Sequence, residues 1–354
     1  MKYKLSDICF YVKGKVDVSG LTDADYISTE NMMPNKGGVT IASSLPSTAQ
    51  TQAYRKDDVL VSNIRPYFKK IWFADCNGGC SNDVLVFRAK EDTDARFLYY
   101  VLADDAFFDY STATSKGTKM PRGDKTAIMQ YEVPHFDLPI QKKIAGILAD
   151  IDNKISLNNN INKNLEQQAQ AIFDDMFPDL FSLNTDATLQ DLIVFANGKK
   201  RPKTIGNIPV YGGNGILAYT DKSNADNCVI IGRVGAYCGK TFLCLDKCWT
   251  SDNAIQAKSR TGSSPLFIYY LLRNASLSSR HIGTGQPLMT QGILNAIPIK
   301  YPVEEKISAF IETCSPIHKM ISGNRQQNES LASIRDSMLP KLMSGEMDVS
   351  ELNL

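Results

Sequence analysis

The sequence has little of what most enzymes use for chemistry. Its 354 residues include only three histidines, His135, His281 and His318, and none lies in a recognisable catalytic triad or metal motif. The segment 212–215 (Gly-Gly-Asn-Gly) has neither the GxGxxG spacing nor the lysine of a phosphate-binding loop, so a turn between strands is the better interpretation. These absences argue against a catalytic chain.

Long apolar runs and a secretory signal are also missing. No stretch is apolar for long enough to cross a membrane, and no charged-then-apolar signal follows Met1, so we expect a cytoplasmic protein with reduced cysteines. Four of its eight cysteines, Cys228, Cys238, Cys244 and Cys248, leave a zinc site open as an alternative. Their spacing matches no compact zinc motif and favours small residues buried in strands.

Glutamate is absent from residues 186–302, and this makes the second half basic. The segment holds 13 Lys and Arg against 6 Asp, a net charge of +7, although the whole chain carries only +1. Residues 1–139 hold 17 cations against 18 anions, a net charge of −1. A basic segment within a neutral protein favours a polyanion as partner, with charge scattered over a solvated surface as the alternative.

The most informative feature of the chain is a stretch that occurs twice. Residues 139–145 (Pro-Ile-Gln-Lys-Lys-Ile-Ala) and 302–308 (Pro-Val-Glu-Glu-Lys-Ile-Ser) begin 163 positions apart (302 minus 139). Each opens a long run with helical periodicity, and proline costs little just before a helix because its missing N–H has no partner there. A repeat this long, closed each time by a long helix, predicts two equivalent halves.

Seam residues in both runs recur mostly every three or four positions, which is the pattern of a coiled coil. The seam of the first helix is Ile144, Leu148, Ile151, Ile155, Asn158, Asn162 and Leu165. The seam of the second, less regular, is Ile307, Ile311, Ile321, Arg325, Asn328 and Leu331. We interpret the two helices as a pair that packs together, although two amphipathic helices on separate cores would show a similar pattern.

Polar residues lie near the middle of each seam. If the helices are antiparallel, Asn158 and Asn162 of the first should meet Arg325 and Asn328 of the second. A shift in register would bury them against Ile or Leu instead. Because buried polar groups need partners, we expect these residues to fix the register at some cost in stability.

Shorter landmarks before each long helix also repeat in the same order. They include a buried strand, a Ser-Asn-Asp or Ser-Asp-Asn turn, a helix that runs from Phe97 to near Tyr110 in the first copy, and a glycine- and proline-containing loop. The strand at Val59 matches the strand at Cys228, and the turn 81–83 matches the turn 251–253. The helical segment 97–102 matches 267–272, and the loop 117–121 matches 283–287. The repeat therefore covers nearly the whole chain.

These doubled landmarks resemble the specificity subunit of a type I restriction–modification system over essentially the whole chain. The helix openings fit the pattern Pro-x-x-x-Lys-Ile. The segments 208–216, 232–235 and 249–253 also fit, as does the terminal Met338-Leu339-Pro340-Lys341-Leu342-Met343-Ser344-Gly345-Glu346. One departure is Glu304, which stands where the first copy has Gln141.

The resemblance implies an α+β fold. Two tandem target-recognition domains, made of mixed strands with small helices, would be separated by two long helices packed as an antiparallel coiled coil. The implied segments are recognition domain 1 at 1–138, spacer helix 1 at 139–180, recognition domain 2 at 186–302, spacer helix 2 at 303–345 and a C-terminal tail at 346–354.

The resemblance also implies a subunit without catalytic residues of its own. Each recognition domain would read one half of an interrupted site in double-stranded DNA, and the helices would bind two modification (methyltransferase) subunits. The cofactors S-adenosylmethionine, ATP and magnesium would belong to those subunits and to restriction (helicase/endonuclease) subunits, and this chain would bind no cofactor or metal. The Asn-Pro-Pro-Tyr-type motif of adenine methyltransferases is absent from the sequence.

Arginine and lysine are the side chains best suited to the DNA contact, because arginine forks onto guanine and lysine neutralises phosphate. In the first half we favour Arg65, Lys69, Lys70, Lys119, Arg122 and Lys125. In the second half we favour Lys199, Lys200, Arg201, Arg233, Lys240 and Arg280. Tyr67 and Tyr211 could contact bases or sugars, with burial in a core as the commoner alternative.

A second function is compatible with the same repeat. A two-domain enzyme formed by duplication would also show two equivalent halves, with a ligand site between them. Methyltransferase and helicase genes beside this one, or solubility that depends on a methyltransferase partner, would favour the specificity subunit over that enzyme.

Overall fold

The computed structural model describes residues 3–182, 184–283 and 285–350. They form two compact units, one within Met1–Asn158 and Gln326–Leu354 and the other within Asn159–Arg325. Thr284 of the repeated loop and residues 351–354 of the predicted tail lie outside the described residues. None of the helices in the described part of the chain is long and apolar enough to span a membrane.

The first unit contains ten short strands and four short helices. Its strands are β1 (Tyr3–Lys4), β2 (Cys9–Tyr11), β3 (Lys15–Asp17), β4 (Tyr26–Ile27), β5 (Gln50–Tyr54), β6 (Val59–Ser62), β7 (Ile71–Phe73), β8 (Gly78–Cys80), β9 (Val84–Ala89) and β10 (Glu132–Val133). Its short helices are α1 (Leu5–Ile8), α2 (Ala95–Ala103), α3 (Asp105–Ala113) and α4 (Lys125–Ile128).

Two four-stranded sheets and one small pair build this unit. The sheets have the orders β2-β9-β6-β7 and β3-β5-β8-β4, and β1 pairs with β10. All pairings are antiparallel except that of β4 with β8. The apolar strands β6 and β9 lie in the middle of their sheet, and the core packs their buried side chains against α2 and α3.

The helix predicted from Phe97 to near Tyr110 is interrupted at Asp104. This residue has extended backbone angles (φ −63°, ψ 139°), and its carboxylate accepts a hydrogen bond from the Ala106 N–H at 3.0 Å. Aspartate is a strong helix N-cap for this reason, so it ends α2 and begins α3. The prediction of one helix was therefore wrong in this detail.

The second unit repeats the plan with one larger sheet. The long helix α5 (Leu138–Met176) has residues 138–158 in the first unit and residues 159–176 in the second. The second unit's strands are β11 (Ala187–Thr188), β12 (Ile193–Asn197), β13 (Ile208–Gly212), β14 (Gly215–Thr220), β15 (Ala225–Gly232), β16 (Thr241–Thr250), β17 (Ala254–Ser259) and β18 (Pro298–Ile299). Its short helices are α6 (Leu189–Leu192), α7 (Pro265–Asn274) and α8 (Gln291–Asn295), and the last helix of the chain is α9 (Glu304–Ser344).

The sheet of the second unit has the order β12-β17-β15-β16-β13-β14, and β11 pairs with β18. Its pairings are antiparallel except that of β13 with β16. Cys228, Cys244 and Cys248 are buried together in this sheet, with the sulfur atoms of Cys228 and Cys248 4.0 Å apart. Cys238 belongs to a different core cluster, so the four cysteines do not come together as the alternative zinc site would require.

The two long helices pair in each unit, and the pairing is antiparallel. In the first unit the Asn158 side chain donates to Asn328 Oδ1 at 2.8 Å, and Arg335 donates to Asp152 at 2.7 Å. Residue numbers thus fall along α5 as they rise along α9. The second unit gives the same direction, because Asn324 donates to Asn162 at 2.8 Å and Lys306 donates to the Met176 carbonyl at 3.3 Å. The predicted antiparallel helix pair is confirmed.

The polar layers meet much as predicted, with one correction. Asn158 and Asn162 are both buried, and Asn158 bonds Asn328. The partner of Asn162 is Asn324, and the Arg325 side chain is instead 63% exposed and bonds Glu166 at 2.8 Å. Arg325 therefore lies at the edge of the seam. Solvent hydrates its charge there, which avoids the cost of burying it between the helices.

The remaining seam residues are buried to different degrees. Ile144, Leu148, Ile307 and Ile321 are buried. Half-buried positions are Ile151, Ile155, Leu165, Ile311, Asn328 and Leu331. Ile144 and Leu148 belong to the hydrophobic core of the first unit and Ile307 to that of the second, whereas Ile321 is buried outside these clusters.

His318 makes the stability of the second unit depend on pH. It is buried beside α7, and its Nε2 lies 2.9 Å from the Tyr270 hydroxyl. Burial, with Arg325 and Arg273 nearby, lowers the pKa of His318 from 6.5 to about 4. A lowered histidine pKa means that the fold prefers the neutral ring, so stability is complete above pH 6.5 and is lost as pH falls toward 4.

We expect that loss to reach about 3 kcal/mol of unfolding free energy between pH 6.5 and 4. The measurement is urea unfolding of the parent and of His318→Gln across this range. The Gln variant keeps a polar partner for Tyr270 but cannot titrate, so its stability should fall less on acidification. Parallel curves for the two proteins would contradict the prediction.

Candidate nucleic-acid interface

A tight loop follows the central strand β6 in the first unit. We call residues 63–70 loop A. Its centre is a 3-10 turn at Pro66–Phe68, flanked by Arg65 (φ 51°) and Lys69 (φ 51°) in the left-handed conformation. Because side chains disfavour this conformation, two such residues in one loop mark a segment held in place by its surroundings.

The second unit has the same loop after β15, and we call residues 233–240 loop A′. It holds a 3-10 turn at Gly235–Tyr237, and its left-handed residues are Gly235 (φ 70°) and Gly239 (φ 84°). A side chain at Gly239 would also collide with the backbone at Leu277, 2.7 Å away. Glycine therefore supplies in loop A′ the conformation that Arg65 and Lys69 adopt in loop A.

A second loop lies against the first in each unit. Residues 116–122 form loop B, closed by two backbone hydrogen bonds of 2.9 Å between Lys116 and Arg122. Residues 282–288 form loop B′, closed in the same way between Ile282 and Leu288 at 3.0 and 2.9 Å. The two-loop surface is thus built twice.

The joint between the loops is also the same in both units. The Arg65 N–H donates to the Pro121 carbonyl at 2.8 Å, and the Gly235 N–H donates to the Pro287 carbonyl at 2.9 Å. The repeated glycine- and proline-containing loop therefore has a structural role that the sequence left open: its proline carbonyl fixes the neighbouring loop.

Loop A is anchored by a salt-bridged aspartate. Asp105, at the start of α3, binds Lys36 at 2.8 Å and Lys69 at 2.9 Å. Burial raises the pKa of Asp105, but the bonds from the two lysines outweigh it and hold the pKa below its usual value. A backbone bond from Asn35 to the Phe68 carbonyl, 2.8 Å, completes the attachment.

The six predicted cations of the first unit lie on or beside these loops, but half of them are already occupied. Lys69 binds Asp105, Arg122 binds Asp83 at 3.1 Å, and Lys70 donates to the Thr29 carbonyl at 2.5 Å. Burial also lowers the pKa of Lys70. The remaining three, whose side chains have no hydrogen bond or ion pair within the described residues, are Arg65, Lys119 and Lys125.

The predicted cations of the second unit are more scattered. Arg233 and Lys240 lie on loop A′, where Lys240 donates to Asn214 at 3.1 Å. Arg280 precedes loop B′ and donates through Nε to the Ala275 carbonyl at 2.8 Å. Lys199, Lys200 and Arg201 follow β12 and are exposed. The backbone of Lys199 forms an isolated parallel bridge with Ser251.

The turn at 251–253 places this lysine-rich segment beside loop A′. Lys199 bridges Ser251, and the Arg233 N–H donates to the Asn253 carbonyl at 3.0 Å. The equivalent bond in the first unit runs from Asn63 to the Asp83 carbonyl at 2.8 Å. The repeated Ser-Asn-Asp and Ser-Asp-Asn turns therefore support the same loop in both units.

Tyr237 was missed by the sequence analysis. It lies at the tip of loop A′ with 47% of its surface exposed, and Tyr67 lies at the tip of loop A with 48% exposed. The two positions differ by 170, as do the strands that precede them, so an alignment of the two halves would have identified the pair. Tyr211 instead packs against the buried cysteines, so a role for it in DNA contact is not supported.

Unpaired polar atoms concentrate at this surface. Buried side-chain atoms without a hydrogen-bond partner in the described residues include Asn63 Oδ1, Arg65 Nε and Arg233 Nε on loops A and A′, and His281 Nδ1 next to loop B′. Buried polar groups are normally paired, so these atoms retain hydrogen-bonding capacity that the fold does not use.

Comparison with known proteins identifies a family that matches both units of the chain. A family model for the type I restriction modification DNA specificity domain matches residues 1–167 and 185–329. The HindI specificity subunit of a type I restriction enzyme from Haemophilus influenzae is 29% identical over 189 residues, which are 50% of this chain and 40% of that subunit. The MjaIX specificity subunit from Methanocaldococcus jannaschii is 21% identical over 95% of this chain and 88% of its own.

A solved structure has the same fold. The S subunit of a type I restriction–modification system from M. genitalium matches with a TM-score of 0.59 at 16% identity, covering 99% of this chain and 96% of its own. The match to the HindI subunit, by contrast, spans less than half of that subunit's length.

Proposed function

Because this chain belongs to the type I restriction modification DNA specificity family, we propose that it is the DNA-recognition subunit of a type I restriction–modification complex. Each of its two units reads one half of an interrupted site in double-stranded DNA. The observation that carries the proposal is the surface of loops A and B, which recurs as loops A′ and B′ with the same backbone bonds. Two equivalent reading surfaces suit a site made of two halves.

Chemistry would belong to partner subunits. The helix pair would bind two modification subunits, which transfer a methyl group from S-adenosylmethionine to adenine, and restriction subunits would use ATP and magnesium. Two observations favour this division over an enzyme formed by duplication. The chain belongs to the specificity family, and the repeated surfaces carry cations and tyrosines rather than paired acids, bases or nucleophiles.

We expect the two units to contact DNA through basic side chains that lie on different segments. Loop B contains Lys116, Lys119 and Arg122, whereas loop B′ has no lysine or arginine in its sequence. Lys116 is paired with Asp124 and Arg122 with Asp83, so Lys119 is the cation of loop B without an ion pair in the described residues. The second unit compensates with the exposed segment Lys199, Lys200 and Arg201 beside loop A′. The first half-site would therefore be bound through loop B and the second through the segment after β12.

Salt dependence provides the test of this function. We expect the affinity of the chain for duplex DNA to fall steeply as salt rises, because lysines displace counterions from phosphates. Lys119→Ala and Lys200→Ala should each weaken binding to all sequences about equally and flatten the slope of log affinity against log salt by about 1. The measurement is a fluorescence-anisotropy titration at several salt concentrations.

The matched control is Lys258→Ala. Lys258 lies on β17, outside both loops, and is paired with Asp226 of β15, so its removal should leave the slope unchanged. Affinity that does not depend on salt, or equal effects of all three substitutions, would count against DNA binding at these surfaces.

A further inference from the structure

In loop A an arginine occupies a position whose left-handed backbone conformation favours glycine. Arg65 has φ 51°, and its counterpart in loop A′ is Gly235 with φ 70°. Both residues donate the same backbone bond to a proline carbonyl of the adjoining loop. Since glycine adopts this conformation without steric cost, the arginine is a strained choice that the backbone alone does not explain.

The Arg65 side chain does nothing for the fold that would account for the strain. It forms no ion pair or hydrogen bond within the described residues, and its Nε is buried without a partner. Lys69, the other strained cation of the loop, differs because it is tied to Asp105 at 2.9 Å. Strain at a residue without structural bonds is characteristic of a functional position.

The loop also holds Arg65 in a defined place. Its N–H is bonded to Pro121, Pro66 follows it directly, and the end of the turn is attached through Phe68 and Lys69 to residues Asn35 and Lys36. A side chain that leaves a fixed backbone loses little freedom when it binds, which favours reading of a single base over loose attraction to phosphate.

We propose that Arg65 is a specificity-determining residue that reads a guanine in the half-site bound by the first unit. Its guanidinium would donate two hydrogen bonds to guanine O6 and N7 in the major groove. The inference rests on the proposed DNA-recognition function and deepens it. Loop A′ has glycine at this place, so the second unit reads its half-site without an equivalent contact, and the two halves differ in sequence.

The test is selection of binding sites from duplexes with randomised half-sites, using the full chain with its modification subunit. For Arg65→Gly we expect discrimination at one guanine of one half-site to fall by about 5- to 150-fold, with the other half-site unchanged. The melting temperature of the variant should equal or exceed that of the parent, because glycine relieves the strain. Unchanged base preference in a folded Arg65→Gly variant would overturn the inference.

Two further variants separate base reading from charge and from loop geometry. Arg65→Lys keeps the charge but cannot form the fork, so it should lose the same discrimination; restoration by lysine would overturn the inference. Arg65→Ala keeps a side chain at the left-handed position but lacks the guanidinium, so it should lose the same discrimination as Arg65→Gly; a base preference that survives in Arg65→Ala would assign the effect of glycine to loop geometry. A parent complex without sequence preference would refute the proposed function itself, whereas a selective parent with a neutral Arg65→Gly variant would refute only the role of Arg65.

Discussion

Replacing Phe173 with alanine should destabilise the second unit by roughly 3–5 kcal/mol. Phe173 lies near the end of α5 with 1% of its surface exposed. Its ring is 5.2 Å from that of Phe177, 5.8 Å from those of Phe267 and Tyr270 and 5.4 Å from that of Phe310. Removal of a ring that touches four others leaves a cavity and also abolishes their edge and stacking contacts.

This cluster joins three elements of the second unit, which is why its loss should be large. Phe267 and Tyr270 come from α7, Phe310 from α9, and Phe173 and Phe177 from α5 and its end. Loops A′ and B′ are carried by strands and turns that pack on this same core. We therefore expect Phe173→Ala to weaken DNA binding through the second half-site more than through the first.

Urea unfolding monitored by circular dichroism would measure the change. The matched control is Leu157→Ala on the same helix, which removes an apolar side chain that is 52% exposed and should alter stability by no more than about 0.5 kcal/mol. A loss below 1 kcal/mol for Phe173→Ala would show that this aromatic cluster does not hold the unit together.

The order of the repeat and the long helices could be predicted from the sequence because both depend on periodic patterns. Pro139 and Pro302 mark the helix openings closely, since the helices begin at Leu138 and Glu304. The pairing of Asn158 with Asn328 followed from the position of polar residues in an apolar seam. These features are local or symmetric, so a single sequence contains them.

The details that the sequence analysis missed depend on contacts between distant residues. Nothing near Asn162 indicated that Asn324 rather than Arg325 would bond it, because one residue of helix rotation decides which side chain points inward. Lys69 and Arg122 appeared free until Asp105 and Asp83 were placed beside them. The boundaries of the recognition domains still depend on the resemblance and remain predictions. The DNA-binding roles of the individual cations also remain predictions.

A fragment that ends near Leu180 should form a two-fold dimer that reads a palindromic site. The core of the first unit includes Leu339, Leu342, Met343 and Val349, all of which the fragment lacks. A second copy can supply the equivalent surface from the end of its own α5, where Met176 takes the place of Leu339 under the 163-residue offset of the repeat. Exposed apolar surface on the lone helix favours this association, and identical chains close it with two-fold symmetry.

Because the dimer carries two copies of loops A and B and none of A′ and B′, both halves of its site should be the same. The symmetry of a protein dimer is mirrored in the DNA that it reads. The experiment is to express residues 1–180 with the modification subunit, determine the mass of the complex and sequence the methylated sites. Leu165→Asp is the matched control, since Leu165 lies on α5 outside the core of the first unit and should block dimerisation without unfolding the domain. A monomeric fragment, or an asymmetric methylated site, would show that the two halves are not equivalent modules.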